Sequence, residues 1–223
     1  MTQLNVYHAL VGMRQKLEKS ARLSVFAVVF ATAFSLFVGL SPVTAIASGP
    51  LPADKDMAMG DPKAPVTVIE YASMTCPHCA HFHETYLPDI KKKYIDTGKV
   101  RLVFREFPLD RAAWQASMLA RCSGEDRFFP YIHILFTQQA SWSRAKDPKA
   151  ELGKLARMGG VSDKDFNACM ADKALGDGIL KTRKDGQDKY EISSTPSFVI
   201  DGKTYAGAMD IKAFSKAVDP LLK

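Results

Sequence analysis

The chain has 223 residues, four cysteines and a formal net charge of +6. This length suits one medium domain, or one domain with a large insertion, rather than several domains. Apolar residues make up 47% of the chain and charged residues 24%. Both fractions are ordinary for a globular protein and argue against wholesale disorder, collagen and a coiled coil.

The first 47 residues have the pattern of an export signal. Residues 1–22 carry four basic side chains against one acidic side chain, and residues 23–40 are uncharged. Ala45-Ile46-Ala47 then has the small-x-small pattern of a signal-peptidase site. We predict a signal peptide over 1–47, cleaved after Ala47, and a periplasmic mature protein. Because the apolar run just reaches the spanning length, an uncleaved transmembrane anchor is the alternative.

Export changes the meaning of the net charge and of the cysteines. Without 1–47 the chain keeps 26 basic and 23 acidic residues, a net charge of +3. An excess this small and scattered does not make a phosphate-binding surface, so we expect no nucleic-acid partner. Disulfides persist in an oxidising compartment. The four cysteines, at positions 76, 79, 122 and 169, allow three pairings.

A crossover β–α–β unit is predicted near the start of the mature chain. A β-branched and aromatic run predicts a buried strand over 66–71. A helix is expected to start at Cys76, with Pro77 in its first turn, where proline is favoured. Pro88 lies inside the helical pattern and predicts a kink. A second strand is predicted over 100–107, which completes the unit.

The next ninety residues or so are predicted to be mostly helical. Pro130 is expected in the first turn of one of these helices, and Ser162 is the expected N-cap of another. The predicted helices cover 112–121, 127–139, 148–158, a segment that starts at 162, and 175–190.

The residue pattern typical of β-strands appears again after Pro196. Residues 197–200 and 203–206 flank Asp201-Gly202, a pattern typical of a β-hairpin. Asp210 is the expected N-cap of a closing helix.

The order of elements predicts an α/β core interrupted by an all-helical insertion. The predicted parts are a lead-in segment over 48–60, the α/β domain over 61–110 and 191–223, and the insertion over 111–190.

The motif that indicates chemistry is Cys76-Pro77-His78-Cys79. Backbone N–H groups and the helix dipole at a helix start favour the Cys76 thiolate and lower its pKa. A stabilised thiolate makes the reduced form more stable, so that the disulfide form becomes an oxidant. His78 can add a positive charge or a hydrogen bond. Cys79 lies one turn into the helix and is the expected resolving thiol.

Other uses of a C-x-x-C motif fit less well. Attachment of a c-type haem requires histidine directly after Cys79, and alanine follows instead. A zinc site of Cys76, Cys79 and His83 is an alternative, but structural zinc takes four ligands in two clusters. We therefore expect no metal and no cofactor. His81 and His83 are expected to face solvent or to pack, and His133 to lie at the edge of the core.

Glu70 and Thr195-Pro196 are the other candidate site residues. Glu70 interrupts an otherwise apolar strand, and a buried carboxylate is costly without a partner or a role. It is either turned to solvent at a sheet edge or a buried proton acceptor that helps Cys79 lose its proton. Proline at a strand start marks a sheet edge, or a cis bond packed against a functional site.

Three segments together resemble the DsbA-like branch of the thioredoxin superfamily, over essentially residues 60–223. They are Val68-Ile69-Glu70-Tyr71, Cys76-Pro77-His78-Cys79 and Thr195-Pro196-Ser197-Phe198. The resemblance implies a thioredoxin fold with a helical insertion, with Cys76, Cys79, His78 and Glu70 in catalysis and Thr195 and Pro196 in substrate binding. It also implies a thiol oxidase that donates its disulfide to unfolded or reduced exported proteins. A membrane quinone-coupled thiol oxidase would then reoxidise it.

Two features depart from the best-known members of that family. Threonine before the cis-proline also occurs in disulfide isomerases and thioredoxin. The second cysteine pair is absent from many members. The chain has an even number of cysteines and is predicted to be exported. We therefore expect Cys122 and Cys169 to form a structural disulfide within the insertion.

The residues and the resemblance favour a periplasmic thiol:disulfide oxidoreductase. The alternatives are a disulfide isomerase or reductase and, from another class, a metal-carrying thiol protein. Dedicated isomerases of the superfamily are usually dimers with an N-terminal dimerisation segment. Residues 48–60 are too short for such a segment, so we expect a monomer.

Overall fold

The β-branched and aromatic run Val66–Ala72 is the central strand of a five-stranded sheet in the computed structural model, which describes residues 50–222. The strands are β1 (Met57–Met59), β2 (Val66–Ala72), β3 (Val100–Glu106), β4 (Ser197–Ile200) and β5 (Lys203–Ala206). Their order across the sheet is β1-β3-β2-β4-β5. β2 pairs in parallel with β3, as a crossover connection requires, and the other three pairings are antiparallel.

Eight helices connect and cover these strands within the described residues. The first, α1, is a continuous run over 77–95 of four segments, Pro77–His81, Phe82–Tyr86, Leu87–Ile90 and Lys91–Ile95. The others are α2 (Arg111–Cys122), α3 (Glu125–Thr137), α4 (Gln139–Ser143), α5 (Pro148–Met158), α6 (Asp163–Ala171), α7 (Lys173–Tyr190) and α8 (Ile211–Val218), the last followed by a 3-10 turn, Asp219–Leu221. The predicted α/β fold with an inserted helical block is confirmed, as are the Ser162 and Asp210 N-caps.

The two faces of β2 are covered by different elements, because successive side chains of a strand point to opposite faces. Val66 and Val68 pack with α1 and α8 in one apolar cluster. Tyr71 points to the other face, where it packs against Phe107 and Tyr190. A Cβ on Gly186 of α7 would lie 2.5 Å from the Tyr71 ring. The last helix of the insertion therefore also covers the sheet.

The predicted lead-in segment contains a short strand and is anchored by a buried arginine. Met57–Met59 forms β1 at the sheet edge, antiparallel to β3. Arg121, which is almost fully buried, donates from Nη1 to the carbonyl oxygens of Pro52 and Lys55. Its other nitrogens bind both carboxylate oxygens of the buried Glu106 at 2.6 and 2.8 Å. The sequence did not indicate β1 because three residues are too few for a periodic pattern.

The two internal prolines lie in different helical settings, and the predicted setting of Pro130 is wrong. Pro130 lies inside α3 rather than in its first turn, because the helix already begins at Glu125 after Gly124. The Pro130 side chain is exposed, so water can reach the backbone carbonyl that loses its partner. Before Pro88, α1 widens into a π-turn, in which the Leu87 N–H donates to Phe82 O five residues back.

His133 is exposed, which corrects its predicted place at the core edge. The buried residues of α3 include Phe128, Tyr131, Ile132, Leu135 and Phe136, and they define one face of the helix. His133 falls on the opposite face of the 3.6-residue period.

The predicted export segment, 1–47, lies outside the described residues. Within residues 50–222, no helix has both the length and the apolar character that a membrane crossing needs.

Cys122 at the end of α2 is joined to Cys169 in α6 by a disulfide, with Cα atoms 6.1 Å apart. Met118, Leu175 and Ile179 pack around it. The two half-cystines are 47 positions apart. Closing a loop of that size removes conformational entropy from the unfolded chain.

We predict that replacing Cys122 and Cys169 by alanine lowers the free energy of unfolding by up to about 4 kcal/mol, because the unfolded chain regains the entropy of the open loop. Urea denaturation followed by circular dichroism would measure the loss. Both proteins would carry Cys76→Ser and Cys79→Ala, so that no other disulfide forms. Equal denaturation midpoints would contradict the prediction.

Candidate active site

Cys76 is the N-cap residue of α1. Its backbone is extended, with φ −80° and ψ 117°, and Pro77 occupies the first helical turn as predicted. The Cys76 N–H donates to Ser73 O at 3.1 Å, which closes a turn before the helix. The N–H groups of Cys79 and Ala80 donate to Cys76 O at 3.1 and 3.2 Å. The first turn of the helix therefore fixes the Cys76 backbone.

Both thiols of the motif are free, and their surroundings differ. The pKa of Cys76 is lowered to about 5, chiefly because the Cys79 thiol can donate a hydrogen bond to the Cys76 thiolate. Burial opposes this shift, and the Thr195 hydroxyl and the N–H groups of Cys79 and His78 add to it. Cys76 is thus a thiolate at neutral pH.

The pKa of Cys79 is raised, first by burial and then by its proximity to Cys76. Its exposed fraction is 0%, against 6% for Cys76. The proton shared between the two sulfurs therefore belongs to Cys79. Cys76 is the sulfur suited to meet a second protein, and Cys79 is suited to resolve the bond from inside.

Thr195 comes from the far end of the chain and closes the site. The Thr195–Pro196 peptide bond is cis. In its thiol form, Cys76 Sγ donates to Thr195 O at 3.2 Å, across 119 positions of sequence. Thr195 Oγ1 is buried and, among residues 50–222, makes no hydrogen bond. Its hydroxyl can therefore donate to Cys76 once that side chain is a thiolate.

Glu70 is fully buried, because β2 is the central strand and Glu70 points to the α1 side, as Val66 and Val68 do. The solvent-facing alternative is therefore wrong. The Glu70 carboxylate contacts His83 Nε2 of α1 through both oxygens, at 2.9 and 3.1 Å. Glu70 also lies close enough to Cys79 for its charge to raise the pKa of that thiol.

His83 lies in the site, although the sequence suggested it only as an alternative zinc ligand or as a packing or solvent-facing histidine. It is a packed histidine, one of the two settings expected for it, but its partner is the candidate acid. Its ring packs against Phe104 and Phe136, with centroids 5.7 and 4.5 Å away. The available signal was its spacing, because His83 follows Cys79 by four residues and so lies on the same face of α1. A glutamate in the neighbouring strand was the natural partner to consider.

The other histidines of α1 lie at the surface. His78 is exposed, and its contribution to the Cys76 thiolate is its backbone N–H. An electrostatic effect of the His78 ring remains a prediction. His81 is exposed and packs edge-on against Tyr86.

A zinc site of Cys76, Cys79 and His83 is not supported. Over residues 50–222, no three histidine, cysteine or acidic side chains have the arrangement to hold a metal ion. The Nε2 atom of His83 is occupied by Glu70.

We predict that the stability of the reduced protein increases with pH between about 5 and about 8.5, relative to a Cys76→Ser variant. The folded pKa is depressed, so the stabilisation is complete above the unfolded pKa of about 8.5 and is lost as pH falls through about 5. It amounts to about 2 kcal/mol at pH 7 after allowance for solvent screening. Urea denaturation at several pH values would test it, and parallel pH profiles of the two proteins would contradict it.

Comparison with known proteins places this site in a family. A family model described as Thioredoxin matches residues 53–220. A Rickettsia conorii protein named "Putative protein-disulfide oxidoreductase" is 35% identical over 171 residues, which are 76% of this chain and 61% of that protein. A Rickettsia prowazekii protein with the same description is 37% identical over 171 residues and is 62% covered. The chain thus spans about three fifths of the length of these relatives.

Solved structures give the same result. The crystal structure of alpha-DsbA1 from Wolbachia pipientis has a TM-score of 0.70 and 36% identity, with 77% of this chain and 93% of that chain covered. Oxidised BdbD from Bacillus subtilis has a TM-score of 0.68 at 22% identity and so supports the fold. The match over residues 53–220 and the likeness to alpha-DsbA1 show that the chain belongs to the DsbA-like branch of the thioredoxin superfamily.

Proposed function

We propose that this protein is a thiol oxidase that introduces disulfides into exported proteins by exchange at Cys76-Pro77-His78-Cys79. The observation that carries the proposal is the contrast between the two thiols. The pKa of Cys76 is lowered to about 5 at a helix N-terminus, whereas the pKa of Cys79, in the core, is raised. A dithiol form stabilised in this way favours transfer of the disulfide to another protein.

The exchange begins with the oxidised Cys76–Cys79 pair. A substrate thiolate attacks Cys76 Sγ, and a mixed disulfide forms between substrate and Cys76. The Cys79 sulfur leaves with the electron pair of the broken bond and takes up a proton. Attack at Cys76 rather than Cys79 is supported by the complete burial of Cys79.

A second substrate thiolate then attacks the substrate sulfur of the mixed disulfide. The substrate leaves with its own disulfide, and Cys76 leaves as a thiolate. A thiol of low pKa is a good leaving group, which speeds this release. The substrate has lost two electrons and the enzyme pair has gained them. Return to the disulfide form therefore requires an external oxidant, for which we propose a membrane quinone-coupled thiol oxidase.

The backbone at Thr195-Pro196 is the proposed docking site for the substrate segment beside Cys76. Thr195 O lies 3.2 Å from Cys76 Sγ, so a chain bonded to that sulfur must pass next to it. In the mixed disulfide Cys76 Sγ no longer donates to Thr195 O, so that carbonyl can accept from an N–H of an extended substrate segment, as in strand addition.

The Glu70–His83 pair is the proposed proton acceptor for Cys79. Cys79 must lose a proton each time the Cys76–Cys79 disulfide re-forms, and its surroundings oppose ionisation. A buried carboxylate on the same side of the sheet, held by His83 at 2.9 Å, can take that proton without access to bulk water.

The proposed compartment is the periplasm, which the predicted signal peptide over 1–47 supports. Unfolded or reduced exported proteins are the proposed substrates, and a monomer is the proposed state. A disulfide isomerase or reductase is the second candidate, favoured by the threonine before Pro196.

We predict a reduction potential for Cys76–Cys79 less negative than about −200 mV, because the stabilised thiolate favours the reduced form. Equilibration with glutathione redox buffers, with trapping of the thiols by a mass tag, would measure it. A potential near that of thioredoxin, about −270 mV, would support the reductase alternative and rule out the oxidase.

We also predict that Glu70→Gln slows disulfide exchange about tenfold or more, without unfolding the protein, because the proton from Cys79 loses its acceptor. Stopped-flow reoxidation of the reduced protein by oxidised glutathione would give the rate, because Cys79 loses its proton in that direction. Glu84→Gln is the matched control, since Glu84 is an exposed acid next to His83 in sequence. Equal rates for the wild type and Glu70→Gln would leave Glu70 with a structural role alone.

A further inference from the structure

A buried amide side chain of the insertion reaches the turn before Cys76. Gln139 is the first residue of α4, and Gln138 alone separates it from the end of α3 at Thr137. Its exposed fraction is 8%, whereas its neighbour Gln138 is exposed. The Trp142 Nε1–H donates to Leu135 O at 2.8 Å across the same junction and holds the two helices in register. The chain therefore fixes where the Gln139 side chain points.

The Gln139 amide binds two backbone carbonyls of the active-site turn. Its Nε2 donates to Met74 O at 2.8 Å and to Cys76 O at 3.0 Å. Because both partners are carbonyl oxygens, which only accept, the amide must present its nitrogen and uses both protons. Met74 is fully buried, so a carbonyl freed there would be poorly solvated.

Other contacts hold the same turn, but from other sides. The Leu109 N–H donates to Ser73 Oγ at 3.3 Å, and Thr75 Oγ1 donates to Asp110 at 2.7 Å. These bonds anchor the residues before Cys76 to the two residues that directly precede the insertion. Gln139 adds a hold on Cys76 itself, from the middle of the insertion and 63 positions away in sequence.

We propose that Gln139 is a positioning residue, by which the helical insertion keeps the sulfur of Cys76 at the α1 N-terminus and against Thr195. The inference rests on the proposed function and deepens it. While Gln139 binds the Met74 and Cys76 carbonyls, the Cys76 sulfur stays within hydrogen-bond reach of the backbone N–H groups of His78 and Cys79. Without that hold the turn can rotate, and the thiolate loses part of its stabilisation.

The test is Gln139→Met, which keeps the length of the side chain and removes both donors. Gln138→Met is the matched control, the same substitution one position earlier at an exposed site. Thiolate absorbance at 240 nm, followed from pH 3 to pH 9 in the reduced proteins, would give the pKa of Cys76. We expect the pKa to rise by about one unit in Gln139→Met and to stay at the wild-type value in Gln138→Met.

Exchange with a reduced peptide should slow about threefold in Gln139→Met, because the Cys76 leaving group has become worse. Thermal unfolding of both variants would separate positioning from stability. A lower melting temperature with an unchanged pKa would overturn the inference and make Gln139 a packing residue. If the wild type shows no exchange but Gln139→Met still shifts the pKa, the proposed function fails and the positioning role stands.

A measurement on the wild type covers the case in which Gln139→Met does not fold. In nuclear magnetic resonance spectra, both Nε2 protons of Gln139 should exchange slowly with water and should shift as Cys76 titrates. The side-chain amide protons of Gln138 should exchange fast and should not shift as Cys76 titrates. Fast exchange of the Gln139 protons, or shifts that do not follow the Cys76 titration, would overturn the inference.

Discussion

The chemistry of this protein depends on one electrostatic contact, the stabilisation of the Cys76 thiolate at the N-terminus of α1. Hydrogen bonds from the Cys79 thiol and from the first-turn N–H groups outweigh the effect of burial and bring the pKa to about 5. The rest of the fold supplies the conditions for that contact. The β2–β3 crossover sets the start of α1, the core surrounds Cys79, and Thr195 closes the open side.

The helical insertion is tied to the thioredoxin-like core by buried polar contacts at two levels. Arg121 joins it to Glu106 and to the segment before β1 through charge-assisted bonds. Gln139 joins it to the active-site turn through neutral ones. A buried ion pair that loses one partner is strongly destabilising, so the Arg121–Glu106 contact fixes the place of the insertion. The amide bonds to the turn then depend on that placement.

The sequence was informative where local chemistry dictates structure. Proline at position 77 and Asp201-Gly202 have local requirements, so the start of α1 and the hairpin were predictable. Contacts between distant segments were less accessible. Glu70 was a candidate because burying a carboxylate in an apolar strand costs free energy. Its contact with His83 was not predictable, because it depends on how closely α1 packs over β2. Gln139 gave no signal, because a glutamine between two helices is common on surfaces.

The two halves of the site lie far apart along the chain, with 119 positions between Cys76 and Thr195. A chain emerges from the ribosome starting at its N-terminus, so Cys76 and its helix come out long before Thr195 does. Until the last strands pack against the sheet, the Cys76 thiol lacks the contact with Thr195, which directly precedes β4. Its full reactivity is therefore acquired last, when the protein is complete and its own cysteines at 122 and 169 already have the insertion in which to pair.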